Sequence, residues 1–224
     1  MISYKLKFMK YIAFLRGINV GKNNIIPMDD LRNLFSAMGF KNIKTYLRSG
    51  NVIFESDEND MVDISSKISE NIYNSFGFLI DSILMNEKDF IFLINNNPFF
   101  NNNSNNNHNN NSNNNPNNNP NNNLNNNLNN NSNYNSINNE AINELYVTIF
   151  KHKINRNLVE NLIKDSKKFN SDDKFLIFEK EIYLVCKNGY HKTKFNNNYF
   201  ESKLDNTATT RSFKTLLKIK NILI

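Results

Sequence analysis

The stretch YIAFLRGINVGKNNIIPMDDLRNLFSAMGF, residues 11–40, decides the first part of the fold. It opens with an apolar run, YIAFL, which is typical of a short buried strand. Pro27 then stands where the first turn of a helix tolerates proline, and two aspartates follow it at the positive end of the helix dipole. The helix ends at Gly39, and its apolar face comprises Met28, Leu31, Leu34, Phe35 and Met38. The stretch predicts a strand, a turn and a helix.

The residues that follow predict the rest of a four-stranded unit. NIKTYLRSGNVIFES contains two strands around Ser49 and Gly50, which is a hairpin signal. Ile64, Ile68 and Ile72 recur along a second helix that ends at Gly77, and FLIDSILM predicts a last strand. A short helix, EKDFIFLI, follows. The order β-α-β-β-α-β is the ferredoxin-like arrangement.

The last part of the chain repeats most of this order. ELYVTIFK predicts a strand, the next helix has an apolar stripe, and KFLIFEKEIYLVCK predicts a hairpin. Two helices then close the chain with no strand predicted between them. We therefore predict an α+β fold of two ferredoxin-like (β-α-β-β-α) halves packed together, related by an internal duplication and interrupted by a disordered asparagine-rich insert.

The predicted insert separates the two halves. From residue 101 to residue 139 the chain is nearly pure asparagine with one other residue at every fourth position, and it contains no Lys, Arg, Asp or Glu. Such a tract has too little apolar surface to offset its ordering entropy. We predict an N-terminal extension (1–10), a first ferredoxin-like half (11–99), a disordered insert (100–139) and a second α+β half (140–224).

Charge and cysteine content limit the partners and the compartment. The formal net charge is +6, which favours anionic partners but also lies within the range that keeps a small domain soluble. Cys186 is the single cysteine, so no internal disulfide can form. The first residues have no sustained apolar region and no small-residue cleavage site, so we expect neither a signal peptide nor a membrane span. We expect a cytoplasmic protein without a membrane partner.

Six segments in chain order resemble the motifs of a known family. They are YIAFLRGINVGKNN, IPMDDLR, GFKNIKTYLRSGNVIFES, NPF, GYHKTKFNNNYFESKL and TATTRSFKT. In this order they resemble the domain-of-unknown-function family DUF1697, a mostly bacterial group. The resemblance implies an α+β fold of two related halves and supplies no reaction. Ser212 and Phe213 depart from the family pattern, which usually has Asn and Trp there, so any contact through an indole would be missing.

The turn after the first strand is a candidate anion site. Gly17, Gly21 and Lys22 have the spacing G-x-x-x-G-K, one residue short of a P-loop, and Asn23 stands where magnesium would need Ser or Thr. Two interpretations remain open. Either the turn and the following helix hold an anion beside Arg16 and Lys22, or the glycines only permit the backbone angles while Arg16 makes a structural ion pair.

Three further segments combine hydroxyl or amide groups with a cation near a turn or a predicted helix start. They are the hairpin tip at residues 48–51, the pair at 193–194 and the run at 209–211. If the groups converge, they would bind a small phosphorylated or carboxylated ligand at the junction of the halves. The alternative is that they are helix caps and dispersed surface cations. The candidate residues are Arg16, Asn19, Lys22, Ser49, Asn51, Thr193, Lys194, Thr210 and Arg211.

The sequence argues against several other classes of site. The three histidines have no metal-ligand spacing, and Cys186 has no adjacent base, so we predict neither a metal nor a cofactor. No catalytic set is recognisable, which leaves open whether the protein is an enzyme. An RNA recognition motif would need stacking aromatics where Ser49 and Asn51 stand, so we expect no sequence-specific nucleic-acid binding.

Two functional hypotheses follow. The first is a binding module or enzyme for a small anionic ligand. The second is a scaffold or nucleic-acid-associated protein with a general basic face. Convergence of Arg16, Asn51, Lys194 and Arg211 would favour the first hypothesis, and an outward, dispersed basic face would favour the second. The sequence does not specify the oligomeric state.

Overall fold

The structure is a computed structural model that describes residues 8–101 and 142–224, with only the backbone of residues 100 and 101. We call these two stretches the first half and the second half. Residues 102–139 of the predicted insert lie outside the described residues, so the disorder of the insert stays a prediction. The predicted domain boundaries also stay predictions.

The first half contains one antiparallel sheet. The strands lie in the order β2-β3-β1-β4, and the first strand and helix confirm the prediction for residues 11–40. The elements in chain order are β1 (Met9–Leu15), α1 (Met28–Ala37), β2 (Lys41–Tyr46), β3 (Asn51–Ser56), α2 (Met61–Phe76), β4 (Ser82–Asn86), α3 (Glu87–Asn95) and α4 (Pro98–Asn101).

The second half contains a second antiparallel sheet. Its strand order, β6-β7-β5-β8, matches that of the first sheet strand for strand. The elements are β5 (Leu145–Phe150), α5 (Arg156–Ser166), β6 (Lys174–Ile177), β7 (Glu181–Val185), α6 (Asn197–Leu204), β8 (Ala208–Ser212) and α7 (Phe213–Leu223).

The prediction that the second half lacks its last strand was wrong. The segment ATTRS forms β8 and pairs with β5, with Thr210 opposite Thr148 and Arg211 opposite Val147. The segment lacks apolar alternation, so its strand conformation depends on pairing with β5 rather than on its own composition. Thr209, Thr210 and Arg211 therefore lie in a strand that leads directly into α7, which begins at Phe213.

The two halves share an apolar core between their sheets. The core contains residues from the facing sides of both sheets and from α3 and α7. Tyr183 of β7 donates a hydrogen bond from its hydroxyl to the carbonyl oxygen of Leu93 in α3 at 2.7 Å, which joins the halves inside this core. Separate clusters pack α1 and α2 on the outer face of the first sheet, and α5 and α6 on the outer face of the second.

The helices are short and capped by local sequence. Asp60 accepts hydrogen bonds from the backbone N–H groups of Val62 and Asp63 at the start of α2, and Gly77 ends this helix at φ 78°. At 16 residues, α2 is the longest helix in the described ranges. Across these ranges no helix is long and apolar enough to cross a membrane.

Gly50 fixes the tip of the β2–β3 hairpin against the loop after β1. Its φ is 75°, and a Cβ atom there would lie 2.8 Å from side-chain atoms of Ile18 and Leu15. Its carbonyl oxygen accepts a hydrogen bond from the N–H of Leu15 at 2.8 Å. The position therefore needs glycine both for its backbone angle and for the close approach.

We expect Gly50→Ala to lower the free energy of unfolding by about 2–4 kcal/mol, because positive-φ strain adds to overpacking. Gly21→Ala is the matched control. Gly21 has φ 63° but nothing within 4 Å of a built Cβ, so only the strain applies, at about 1–2 kcal/mol. Urea denaturation of both variants measures the difference. Equal losses of unfolding free energy in the two variants would show that the close contact with Ile18 and Leu15 adds nothing to the backbone strain.

Candidate functional site

Asn19 fastens the loop after β1 to the hairpin tip. Its side-chain amide donates to the carbonyl oxygens of Ile26 at 3.0 Å and Arg48 at 2.8 Å, and its Oδ1 accepts from the N–H of Ile26 at 2.9 Å. Asn19 has φ 53°, which asparagine tolerates better than most residues. Its side-chain polar atoms therefore stabilise the loop.

Arg16 forms the structural ion pair that the sequence left open as an alternative. Its Nε and Nη2 donate to the two carboxylate oxygens of Glu201 in α6 at 2.8 and 2.6 Å. Glu201 also accepts from the N–H of Ala208 at 2.7 Å. The hydrogen bond with Glu201 is the main cause that raises the pKa of Arg16 above its ordinary value. The pair joins the end of β1 to the second half.

Arg211 of β8 lies at the centre of the junction between the halves. Its Nε, Nη1 and Nη2 atoms donate five hydrogen bonds, which matches the five N–H donors of a guanidinium group. Three of the acceptors belong to the first half and two to β8. The acceptors are Asn51 Oδ1 (2.6 Å), Leu15 O (3.1 Å), Ser49 O (2.8 Å), Thr209 Oγ1 (2.5 Å) and Thr210 O (3.0 Å).

The positive charge of Arg211 has no carboxylate partner among the described residues. All five acceptors are uncharged, and the guanidinium also lies over the ring of Phe14, 5.7 Å from its centroid. Burial disfavours the charged form and lowers the pKa of Arg211 to about 10, while the charge interaction with Tyr190 acts in the opposite direction. The junction therefore contains an uncompensated cation.

Asn51 and Ser49 orient the acceptors for Arg211. Asn51 is fully buried, and its amide donates to the carbonyl oxygen of Tyr46 at 2.8 Å and to Ser49 Oγ at 3.1 Å. These bonds leave Asn51 Oδ1 directed at Arg211. The two hairpin residues thus contact Arg211 as the sequence hypothesis required, but they act as fixed partners of the cation.

Thr210 belongs to a polar network behind Arg211. Its hydroxyl lies 2.9 Å from that of Thr148 and 3.2 Å from Asn197 Oδ1. The hydroxyl of Tyr190 accepts from the N–H of Asn197 at 2.8 Å, and burial raises the pKa of Tyr190. This network connects β5, β8 and the start of α6.

The remaining candidates do not contact this cluster. Lys22 and Lys194 are exposed, and no described residue bonds to either side chain. Thr193 is buried and accepts from the N–H of Phe195 at 3.1 Å, so it stabilises the turn before α6. The predicted set therefore divides into a group that converges on Arg211, residues that stabilise loops or pair with Glu201, and two exposed lysines elsewhere on the surface.

Sequence reasoning missed three residues of the junction. Glu201 follows Arg16 by 185 positions, and Thr148 precedes Thr210 by 62 positions, so no local spacing links the partners. Tyr190 lies in the motif GYHKTKF, from which the sequence hypothesis included only Thr193 and Lys194. Glu201 could have been found by its place in a predicted amphipathic helix, because it is a carboxylate next to the buried Phe200.

Two cavities of the described residues lie away from the candidate residues. One, of about 400 Å³, lies between Lys10, Lys44 and the end of α7. The other, of about 530 Å³, is lined by Ile142, Lys214 and Leu217 and their neighbours. Neither lining includes a residue of the candidate anion site.

The described residues offer little to metal or thiol chemistry. In residues 8–101 and 142–224, no three His, Cys, Asp or Glu side chains group closely enough to hold a metal ion. Cys186 is buried, and burial, its largest cause, raises the pKa of its thiol to about 12. A thiol with this pKa is not a nucleophile at neutral pH.

Comparisons with known proteins address the fold and the family. A family model described as "Protein of unknown function (DUF1697)" matches residues 9–123. A solved structure of a conserved bacterial protein from Streptococcus pneumoniae aligns with a TM-score of 0.62 at 18% identity, covering 97% of this chain and 100% of that chain. Identity this low shows a shared fold alone. No curated protein matches the chain.

We expect Arg211→Lys to lower the free energy of unfolding by about 2–4 kcal/mol. Lysine has three donors and no planar fork, so buried acceptors would lose their partners. Arg156→Lys, the same change at an exposed residue, is the control and should change stability by less than about 0.5 kcal/mol. Urea denaturation measures both, and equal stability of the two variants would contradict the assigned role of Arg211.

Proposed function

Because the chain belongs to the DUF1697 family, whose description names no activity, we propose a function from the geometry: the protein binds a small phosphorylated or carboxylated ligand at the junction of its two halves. The observation that supports this proposal is the uncompensated charge of Arg211. A cation without a carboxylate partner in a partly desolvated place attracts an anion more strongly than a solvated surface cation does.

The ligand would receive its hydrogen bonds from neighbours of Arg211. The five N–H groups of Arg211 are already engaged, so this residue contributes charge rather than new bonds. Arg16 uses Nε and Nη2 for Glu201, which leaves Nη1. Arg48 is exposed beside the hairpin tip and forms no ion pair with a described residue. These two cations are the proposed donors to the anion.

We also propose that both halves are ferredoxin-like and arose by duplication, in a cytoplasmic protein. The matching strand orders of the two sheets support the first part of this proposal. The single buried cysteine is compatible with a reducing compartment. The site contains no recognisable catalytic set, so we propose binding and not a reaction.

A general basic face is the second candidate function. The observation that favours it is that Lys22 and Lys194 are exposed and lie outside the Arg211 cluster. Cations dispersed in this way would bind a polyanion such as RNA through its phosphates, with strong dependence on salt. In this case the protein would be a scaffold or a nucleic-acid-associated protein.

Thermal unfolding of the full chain tests the first function against the second. The probes are inorganic phosphate, nucleotides, phosphorylated sugars and short RNA, each at low and high salt. A small anion that binds the junction should raise the melting temperature by several degrees at both salt concentrations, because ligand at about 100 times its Kd stabilises by about 2.7 kcal/mol. Stabilisation only by RNA and only at low salt would overturn the junction site.

Arg48→Gln and Lys164→Gln are matched variants for this experiment. Both remove one exposed positive charge, but Lys164 lies on α5, in the outer layer of the second half. We expect Arg48→Gln to need at least about tenfold more of the small anion for the same rise in melting temperature. This factor corresponds to the loss of one charged hydrogen bond. Lys164→Gln should respond as the unaltered protein does.

A further inference from the structure

Two neighbouring loops expose aliphatic side chains beside cations. Val20 and Ile25 in the loop after β1 are 66% and 44% exposed, and Leu47 at the hairpin tip is 53% exposed. Lys22 and Arg48 are exposed within the same two loops. We call these five residues the tip surface. Aliphatic side chains so exposed, close to one another, indicate a contact with something other than water.

The hydrogen bonds of Asn19 make the tip surface a single unit. Asn19 adjoins Val20 and bonds to the backbone of Ile26, the neighbour of Ile25, and to Arg48, the neighbour of Leu47. The loop is also closed by an isolated bridge between Val20 and Asn23. The aliphatic residues of both loops are therefore held near one another.

The backbone of the tip surface is held in uncommon conformations. Leu47 has φ 59°, a left-handed value that is unfavourable for leucine, and its side chain is nonetheless exposed. Exposure of this residue therefore does not result from a relaxed turn. The hairpin tip keeps Leu47 outward because Ser49 and Gly50 beside it are fixed to Arg211 and Leu15.

The charge of the tip surface is complementary to an anionic partner. Neither Lys22 nor Arg48 forms an ion pair with any residue in the described ranges. The acidic residue nearest along the chain to Lys22 is Asp29, which bonds to Arg32, and the one nearest to Arg48 is Glu55, which accepts from the side-chain amide of Asn42. The two exposed cations thus have no carboxylate partner among the described residues, and the uncompensated Arg211 adds a third positive charge behind the hairpin tip.

The side chains of the tip surface project from two loops, which favours an extended partner. Neither of the two cavities includes any of its residues. A lipid interface accepts projecting loops without a concave site that matches their shape. The tip surface contains no aromatic ring, so it offers no platform for stacking a nucleic-acid base.

We propose that the tip surface binds the interface of a membrane containing anionic lipids. The aliphatic side chains would enter the boundary between headgroups and acyl chains, and Lys22 and Arg48 would pair with headgroup phosphates or carboxylates. This inference rests on the proposed function, because it names a lipid headgroup as the anion. A peripheral contact of this kind requires no membrane-spanning segment.

Vesicle co-sedimentation of the full chain tests the inference. The probes are phosphatidylcholine vesicles with and without one third phosphatidylserine, and soluble glycerol phosphate measured by thermal unfolding. Of the two kinds of vesicle, we expect the protein to bind only those that contain phosphatidylserine. The variant Val20→Ser/Leu47→Ser should bind them at least about tenfold more weakly, because the aliphatic contact is removed while both cations remain.

Val62→Ser/Leu79→Ser is the matched control, because Val62 and Leu79 are 71% and 73% exposed and lie outside the tip surface. It should bind vesicles as the unaltered protein does. Circular dichroism verifies that all variants fold. Equal vesicle binding by the two double variants would overturn the inference in favour of charge alone. Stabilisation by glycerol phosphate without vesicle binding would overturn it and leave the proposed function intact, and no response to either probe would contradict both.

Discussion

The guanidinium of Arg211 is the interaction on which the arrangement of the two halves depends. It extends from β8 of the second half and bonds to the end of β1, to the hairpin tip and to Asn51 of β3. Each bond from a charged donor contributes about 1.5–3 kcal/mol, but the desolvation of an unpaired charge offsets much of this gain. The main effect is therefore to fix one orientation of the halves.

The apolar core between the sheets holds the two halves together, and the hydrogen bonds of Arg211 fix their relative orientation. Facing sides of both sheets enclose α3 and α7, and the hydroxyl of Tyr183 finds its acceptor on α3 inside this core. Apolar burial is proportional to area and has no direction, so many relative positions of two sheets would satisfy it. The ion pairs at the edge, Arg16 with Glu201 and Lys151 with Asp81, are partly exposed and contribute little stability.

Elements whose pattern lies within one stretch of sequence could be predicted. A strand that forms because it pairs with a distant strand could not. The β1–α1 unit has an apolar run, a helical period and a terminal glycine, and each is visible within one stretch. The segment ATTRS has no such pattern, because its hydroxyls and arginine bond to a polar network on β5 and to the first half. Its strand conformation follows from backbone pairing with β5, whose Thr148 lies opposite Thr210 and 62 positions away from it.

At the candidate site too, the residue types could be read from the sequence but their bonding partners could not. The search for a cation near hydroxyls and amides selected some residues that contact one another in the structure, such as Arg211 and Asn51. Composition could not tell whether their donors remain free for a ligand. Glu201 was overlooked because its role depends on Arg16, 185 positions earlier. A residue type indicates what a side chain can bond to, but only the fold decides what it does bond to.

The engaged donors of Arg211 determine where recognition can occur. A guanidinium with five internal hydrogen bonds still carries its full charge, but it offers no N–H for a ligand without breaking the junction. Attraction and hydrogen bonding are therefore divided between different residues. The charge lies beneath the hairpin tip, and the donors proposed for a ligand are Arg48 on the tip and the Nη1 of Arg16 after β1. Recognition of an anion at the junction would thus fall to exposed cations beside Arg211, while Arg211 itself holds the two halves together.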